Sequence, residues 1–153
     1  MSPSEEQLKV AYLYNFTKFV AWPADAFARE DTPFHLCILG TDPFGPLLDS
    51  LAKKSVQGRP IVVSRLTGLS KENVCQLLYI SASFVGDLSS FVSLLEGKPV
   101  LTIGEVPGFI QSGGMINFVR LQEHLRFEVH PDHLQKAGLK ASAAMLQVAI
   151  VVR

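Results

Sequence analysis

Clustered charge, long apolar runs and cysteine are all scarce in this chain. Net charge is zero at pH 7, and no run of Lys or Arg exceeds two residues. That excludes the dense positive footprint of a nucleic-acid surface. No apolar stretch reaches the ~18 residues of a membrane span. Met1-Ser2-Pro3-Ser4 has neither the charged head nor the apolar middle of a secretory leader. The start therefore fits a native beginning or a chain begun after a removed leader. Only Cys37 and Cys75 occur, with no CxxC pair, which makes a poor metal site. They fit either two buried thiols or a disulfide joining two strand starts in an oxidising compartment. Hydrophobic residues are 48% and charged residues 18%, the composition of a compact chain rather than a disordered one. At 153 residues the expectation is one domain over 1–153, a helix at 5–22 followed by an α/β core.

What is abundant comes first. Residues 8–23 read LKVAYLYNFTKFVAWP. On a helical wheel Val10, Tyr12, Leu13, Tyr14, Phe16, Phe19, Val20 and Trp22 cover most of the circumference. Gln7, Asn15 and Lys18, with Ala11, leave a narrow polar strip. An ordinary surface helix has one apolar stripe. A helix apolar nearly all round is buried on two sides, in the core or against a partner. Tyr12, Phe16, Phe19 and Trp22 exceed what one face requires, and are candidates for a dimer or partner surface.

Strand and helix patterns then alternate. HLCILG (35–40), QGRPIVVSRL (57–66), QLLYISAS (76–83) and KPVLTIGEV (98–106) read as strands. PLLDSLAKK (46–54), LSKENV (69–74, with Ser70 as N-cap) and GDLSSFVSLLEG (86–97) read as helices. MINFVRLQ (115–122) and LRFEVH (125–130) alternate with period two and read as an antiparallel hairpin. A short helix over 131–139, with Asp132 as N-cap, comes next, and 140–152 closes the chain, its small residues Ala141 to Ala144 suited to a close-packed helix and its β-branched tail to a strand. The expected class is α/β: three layers, α/β/α, around a mostly parallel sheet with a C-terminal antiparallel hairpin.

Motifs that carry chemistry are sparse. Gly40-Thr-Asp-Pro-Phe-Gly45 lies between a strand and a helix, but lacks the Lys-Ser/Thr of a phosphate loop and the third Gly of a dinucleotide fingerprint. A tight turn is the simpler reading. Asp42 has no second acidic partner, and Lys98 precedes its strand, which argues against a phosphoacceptor receiver. No GxSxG occurs, and no carboxylate pair stands out, so no catalytic residue is assigned. His130 and His133 are three apart, but without ligand-spaced partners they read as surface histidines rather than a metal site. Gly113-Gly114 permits a turn or a close backbone approach. Asp42, Gly45, Gly113 and Gly114 are the candidate lining of a small-ligand cleft. Arg59, Arg65, Arg126 and Glu128 lie in or beside strands, and Glu128 could pair with Arg65 or Arg126.

In order and spacing, the blocks YLYNFTKFVAWP, CILGTDPFG, GRPIVV, CQLLYIS, GKPVLTIGE, PGF, GGMINFV and LRFEVH resemble the YfiR family. The resemblance runs from Leu8 to the end. It implies an α/β periplasmic protein, often a homodimer, made with a signal peptide that is removed. It implies a non-enzymatic, cofactor-free regulator that binds the periplasmic domain of an inner-membrane diguanylate cyclase and represses it. An outer-membrane lipoprotein that sequesters the repressor is the implied second partner. Cys37 and Cys75 match one of the family's disulfides, which implies that they are bonded. A second, C-terminal Cys pair of the characterised repressor is missing, so the segment around Val119 to His130 must hold by packing. A small-ligand-binding periplasmic sensor module is the alternative reading.

Overall fold

Ser4 starts the first helix, α1 (Glu5–Phe19). Its Oγ accepts from the Gln7 amide, and the Gln7 side chain accepts from the Ser4 amide, a reciprocal capping box. The computed structural model describes residues 4–70, 74–84 and 87–153. The helix stops at Phe19, short of the expected 22. Val20–Ala21 (β1) turns extended and pairs antiparallel with Lys140–Ala141 (β9), Val20 opposite Ala141. Two β-bonded residues thus override the apolar helix pattern.

The main strands follow: β2 (Phe34–Leu39), β3 (Ser55–Val56), β4 (Arg59–Leu66), β5 (Leu77–Ile80), β6 (Leu101–Gly104), β7 (Ile116–Leu121), β8 (His124–Val129) and β10 (Ile150–Val151). They form one sheet in the order β10-β8-β7-β6-β5-β2-β4-β3. Strands β4, β2, β5, β6 and β7 are mutually parallel neighbours. Their order is the 2-1-3-4-5 of a flavodoxin-like doubly wound sheet. The β7–β8 hairpin is antiparallel, with Phe118 opposite Phe127, as its alternation predicts. Its connection, Gln122-Glu123, takes positive φ at both positions (51° and 67°), the twist a two-residue hairpin turn needs.

Alternation along β2 shows why its run is continuously apolar. Leu36 and Ile38 join the cluster under α1 with Leu13, Phe16, Leu77, Tyr79 and Ile103. Cys37 and Leu39 join the opposite cluster with Cys75, Leu78, Ile80 and Phe109. A strand buried on both faces has no polar period. The second cluster is covered by α3 (Leu88–Leu95), capped by Asp87, whose Oδ1 accepts from Ser89 N. The expected helix over 69–74 falls partly on residues 71–73, and the start of the 86–97 helix on Gly86, outside the described residues.

Two local expectations are corrected. The 46–54 helix is one turn of α-helix, α2 (Pro46–Asp49), followed by a 3₁₀ turn over Ser50–Lys53. Helix α4 (Pro131–Lys136) is capped by His130, not Asp132: His130 Nδ1 accepts from His133 N, with Pro131 in the first turn. The C-terminal segment forms a helix, α5 (Ala143–Val148), and a strand tail, β10, as its residues suggest, with β9 added before them.

Candidate functional site

The aromatic set of α1 separates by position. Phe16 is 2% exposed and Tyr12 half-buried; both pack on Phe118 and Phe127 of the hairpin, at centroid distances of 5.0–6.0 Å. Trp22 is half-buried, edge-on to Phe34, and its Nε1 donates to the Gln76 carbonyl at 2.9 Å. Only Phe19, at 42%, stays exposed. Leu8, on the same helix, is 38% exposed. Residues 8, 12 and 19 lie at i, i+4 and i+11, so they share one stripe. The surplus apolar surface of α1 is therefore this stripe, while Phe16 belongs to the core.

Cys37 in β2 and Cys75 just before β5 are disulfide-bonded. Adjacent parallel strands place Cys37 beside Leu78, three residues past Cys75. The bond is buried among Leu39, Leu78 and Phe109.

The four expected cleft residues do not come together. Asp42 and Gly45 follow the carboxyl end of β2, whereas Gly113 and Gly114 precede the amino end of β7. The strands run parallel, so the two pairs lie at opposite ends of the sheet. Asp42 is occupied locally: its Oδ1 accepts from Phe44 N, and its Oδ2 accepts from Arg65 Nε at 2.7 Å. Arg65 also reaches Asp49, and these two carboxylates raise its already high pKa. Arg65 therefore pairs with Asp42 and Asp49 rather than with Glu128. Arg126 donates to the Val148 carbonyl. Gly45 supplies the φ of +55° that starts α2. At the usual ligand position beside β2 and β5, Ser83 Oγ accepts from Thr41 N, so the chain closes that crevice itself.

Gly114 is a packing residue. A Cβ there would come within 2.3 Å of the Phe109 ring, and one at Gly104 within 2.8 Å. Phe109 thus fills the close approach that the glycines create. Gly113 abuts Val92 and borders a cavity of about 590 Å³ between α3 and α4, which His133 and Lys136 also line. The rings of His130 and His133 stack at 3.6 Å, and His133 Nδ1 donates to the Gly114 carbonyl at 2.8 Å. Burial, then the neighbouring His133, lowers the His130 pKa. Among the described residues no group of three or more His, Cys, Asp or Glu could hold a metal.

An unexpected cleft lies elsewhere. Strand β6 ends at Gly104, while its neighbour β7 runs on to Leu121. The step leaves a cavity of about 560 Å³ between the start of α1, the loop after β6 and the β7–β8 hairpin. Lys9, only 8% exposed, reaches it from α1. Its ammonium pairs with Glu5 at 3.1 Å and closely with Glu105. Arg120 packs its guanidinium on the other Glu5 oxygen. Sequence patterning missed this group because Lys9 sits on the apolar wheel and Asn117 falls at an ordinary polar position of an alternating strand. The Glu5–Lys9 spacing of four was the legible signal.

A doubly wound α/β domain with a disulfide across its central strands is the class these features define. The YfiR/HmsC-like family model matches residues 6–150, and the chain belongs to this family. No curated protein matches the chain. No helix among the described residues is long and apolar enough to cross a membrane.

Proposed function

We propose that this chain is a non-enzymatic periplasmic regulator that binds the periplasmic domain of an inner-membrane diguanylate cyclase and holds that enzyme inactive. Membership of the YfiR/HmsC-like family over 6–150 carries the reading. The Cys37–Cys75 disulfide supports it, since such bonds persist in oxidising compartments such as the bacterial periplasm. The Leu8–Tyr12–Phe19 stripe is the surface offered to the partner or to a second copy in a homodimer. Phe19 is its anchor, a large exposed aromatic on a rigid helix. An outer-membrane lipoprotein competing for the regulator would relieve the repression.

The test is co-purification of the chain with the periplasmic domains of the membrane diguanylate cyclases of its own organism. Cyclic-di-GMP should be measured in cells with and without the chain. A complex weakened by Phe19→Ala, together with lower cyclic-di-GMP when the chain is present, is expected. Absence of any association removes the repressor role.

A further inference from the structure

The cavity between α3 and α4 carries two opposite charges that do not meet. Its volume of about 590 Å³ is within the range of small-molecule sites. Much of its wall is apolar: Val92 and Leu95 of α3, Met115 before β7, and Ala137 after α4. Thr102 also lines it, but is 4% exposed, and its Oγ1 already accepts from the Met115 amide. His133 spends its Nδ1 on the Gly114 carbonyl. The fully charged side chains of the lining are Glu96, which ends α3, and Lys136, the last residue of α4. Both are exposed, and among the described residues neither has an ion pair. They come from the two different helices that wall the cavity. A carboxylate at the carboxyl end of a helix opposes the helix's own partial negative charge, so Glu96 gains from a cation brought beside it. Lys136 has three donors and no acceptor, and lacks a counter-ion.

Opposite charges on separate walls, with apolar surface between, specify a ligand of the same pattern. We infer that this cavity binds a zwitterion whose ammonium and carboxylate are separated by an apolar chain, an ω-amino acid in the simplest case. The ammonium pairs with Glu96 and the carboxylate with Lys136, while the methylenes lie on Val92, Leu95 and Met115. The charges of Glu96 and Lys136 cancel, so the lining favours a ligand that is neutral overall but charged at both ends. Gly113 serves the site by its size: a Cβ there would come within 2.5 Å of Val92, so only glycine lets the loop before β7 close against α3. An occupant would tie α3 to α4.

The test uses the purified chain alone, so its failure is distinguishable from failure of the cyclase reading. γ-Aminobutyrate and ε-aminocaproate are titrated by calorimetry and thermal shift, at constant ionic strength. Glycine, hexanoate and hexylamine are the comparison compounds: the first lacks the chain, and the other two each lack one charge. Saturable binding of at least one ω-amino acid is expected, with every comparison compound at least about 3-fold weaker. Glu96→Gln and Lys136→Met should each weaken that binding by about 3- to 10-fold. Both side chains are exposed, so the variants keep the fold; circular dichroism and an unchanged melting temperature without ligand verify that. No saturable binding of either ω-amino acid up to about 10 mM overturns the proposal. Wild-type affinity in either variant overturns it too, as does equally tight binding of glycine, hexanoate or hexylamine.

Discussion

Trp22 Nε1 hydrogen-bonds the backbone carbonyl of Gln76, 54 residues away, while its ring meets Phe34 edge-on. The Gln76 side chain extends the junction: it accepts from the His35 amide and donates to the Ala26 carbonyl. Trp22, one of the four aromatics expected at a dimer or partner surface, is therefore bound into the fold.

Trp22→Ala is expected to cost about 2–4 kcal/mol, as aromatic truncations do when they open a cavity and orphan a polar group. Phe19→Ala should stay within about 0.5 kcal/mol of wild type, because the side chain is exposed. Urea denaturation of both variants checks this. A Trp22→Ala chain as stable as Phe19→Ala would contradict the assignment of Trp22 to the fold.

Gly114→Ala places a methyl against the Phe109 ring. A loss of about 1–3 kcal/mol is expected from overpacking. Shrinking the obstacle should recover part of it, so Gly114→Ala with Phe109→Leu should lose less than the sum of the two single variants. A double-mutant cycle from thermal denaturation measures the coupling.

The disulfide closes a sequence separation of 38 residues. Replacing both cysteines by Ala should cost ~3–4 kcal/mol by loss of the unfolded-state constraint. Cys37 is 2% and Cys75 7% exposed, so the native bond should resist reductant until the chain opens. Alkylation under native, non-reducing conditions is expected to label no thiol. Intact mass after alkylation reads this directly.

His130 gives a pH dependence. Its folded pKa lies below the usual value of 6.5, first through burial and then through the charge of His133. Below that value the unfolded chain takes up a proton that the folded chain resists, so uptake favours unfolding. Protonation would also remove the lone pair with which Nδ1 caps α4. Stability should therefore be flat above about pH 6.5 on this account and fall as pH drops below it. His130→Asn keeps a capping acceptor and removes the titration. Its melting temperature should fall less between pH 7 and pH 5 than that of the wild type.

Most of the sheet was legible because its strands carry strong signals. FHLCIL and LLYI are continuously apolar, and the 116–129 hairpin alternates cleanly. The two-residue strands β1 and β9 were not legible, since two residues carry no period. Their pairing comes from tertiary closure. The expected ligand cleft failed for a topological reason. A glycine pair before a strand and a turn after one sit at opposite ends of a parallel sheet. Lys9 was read past because a cation on an apolar wheel gives no sign that Glu5 and Glu105 will enclose it. The Cys37–Cys75 bond was open on spacing alone, and family resemblance pointed to it.

The β1–β9 ribbon sets an order of events during synthesis. Val20 finds its partner Ala141 only after roughly 120 further residues have been made, which takes ~6–24 s at ordinary ribosomal speeds. Phe118 and Phe127, which cover Tyr12 and Phe16, also arrive late. Throughout that interval the aromatic helix is an uncovered, sticky leading segment. The same wiring makes the C-terminal fifth of the protein a latch: shortening it would release the very first helix.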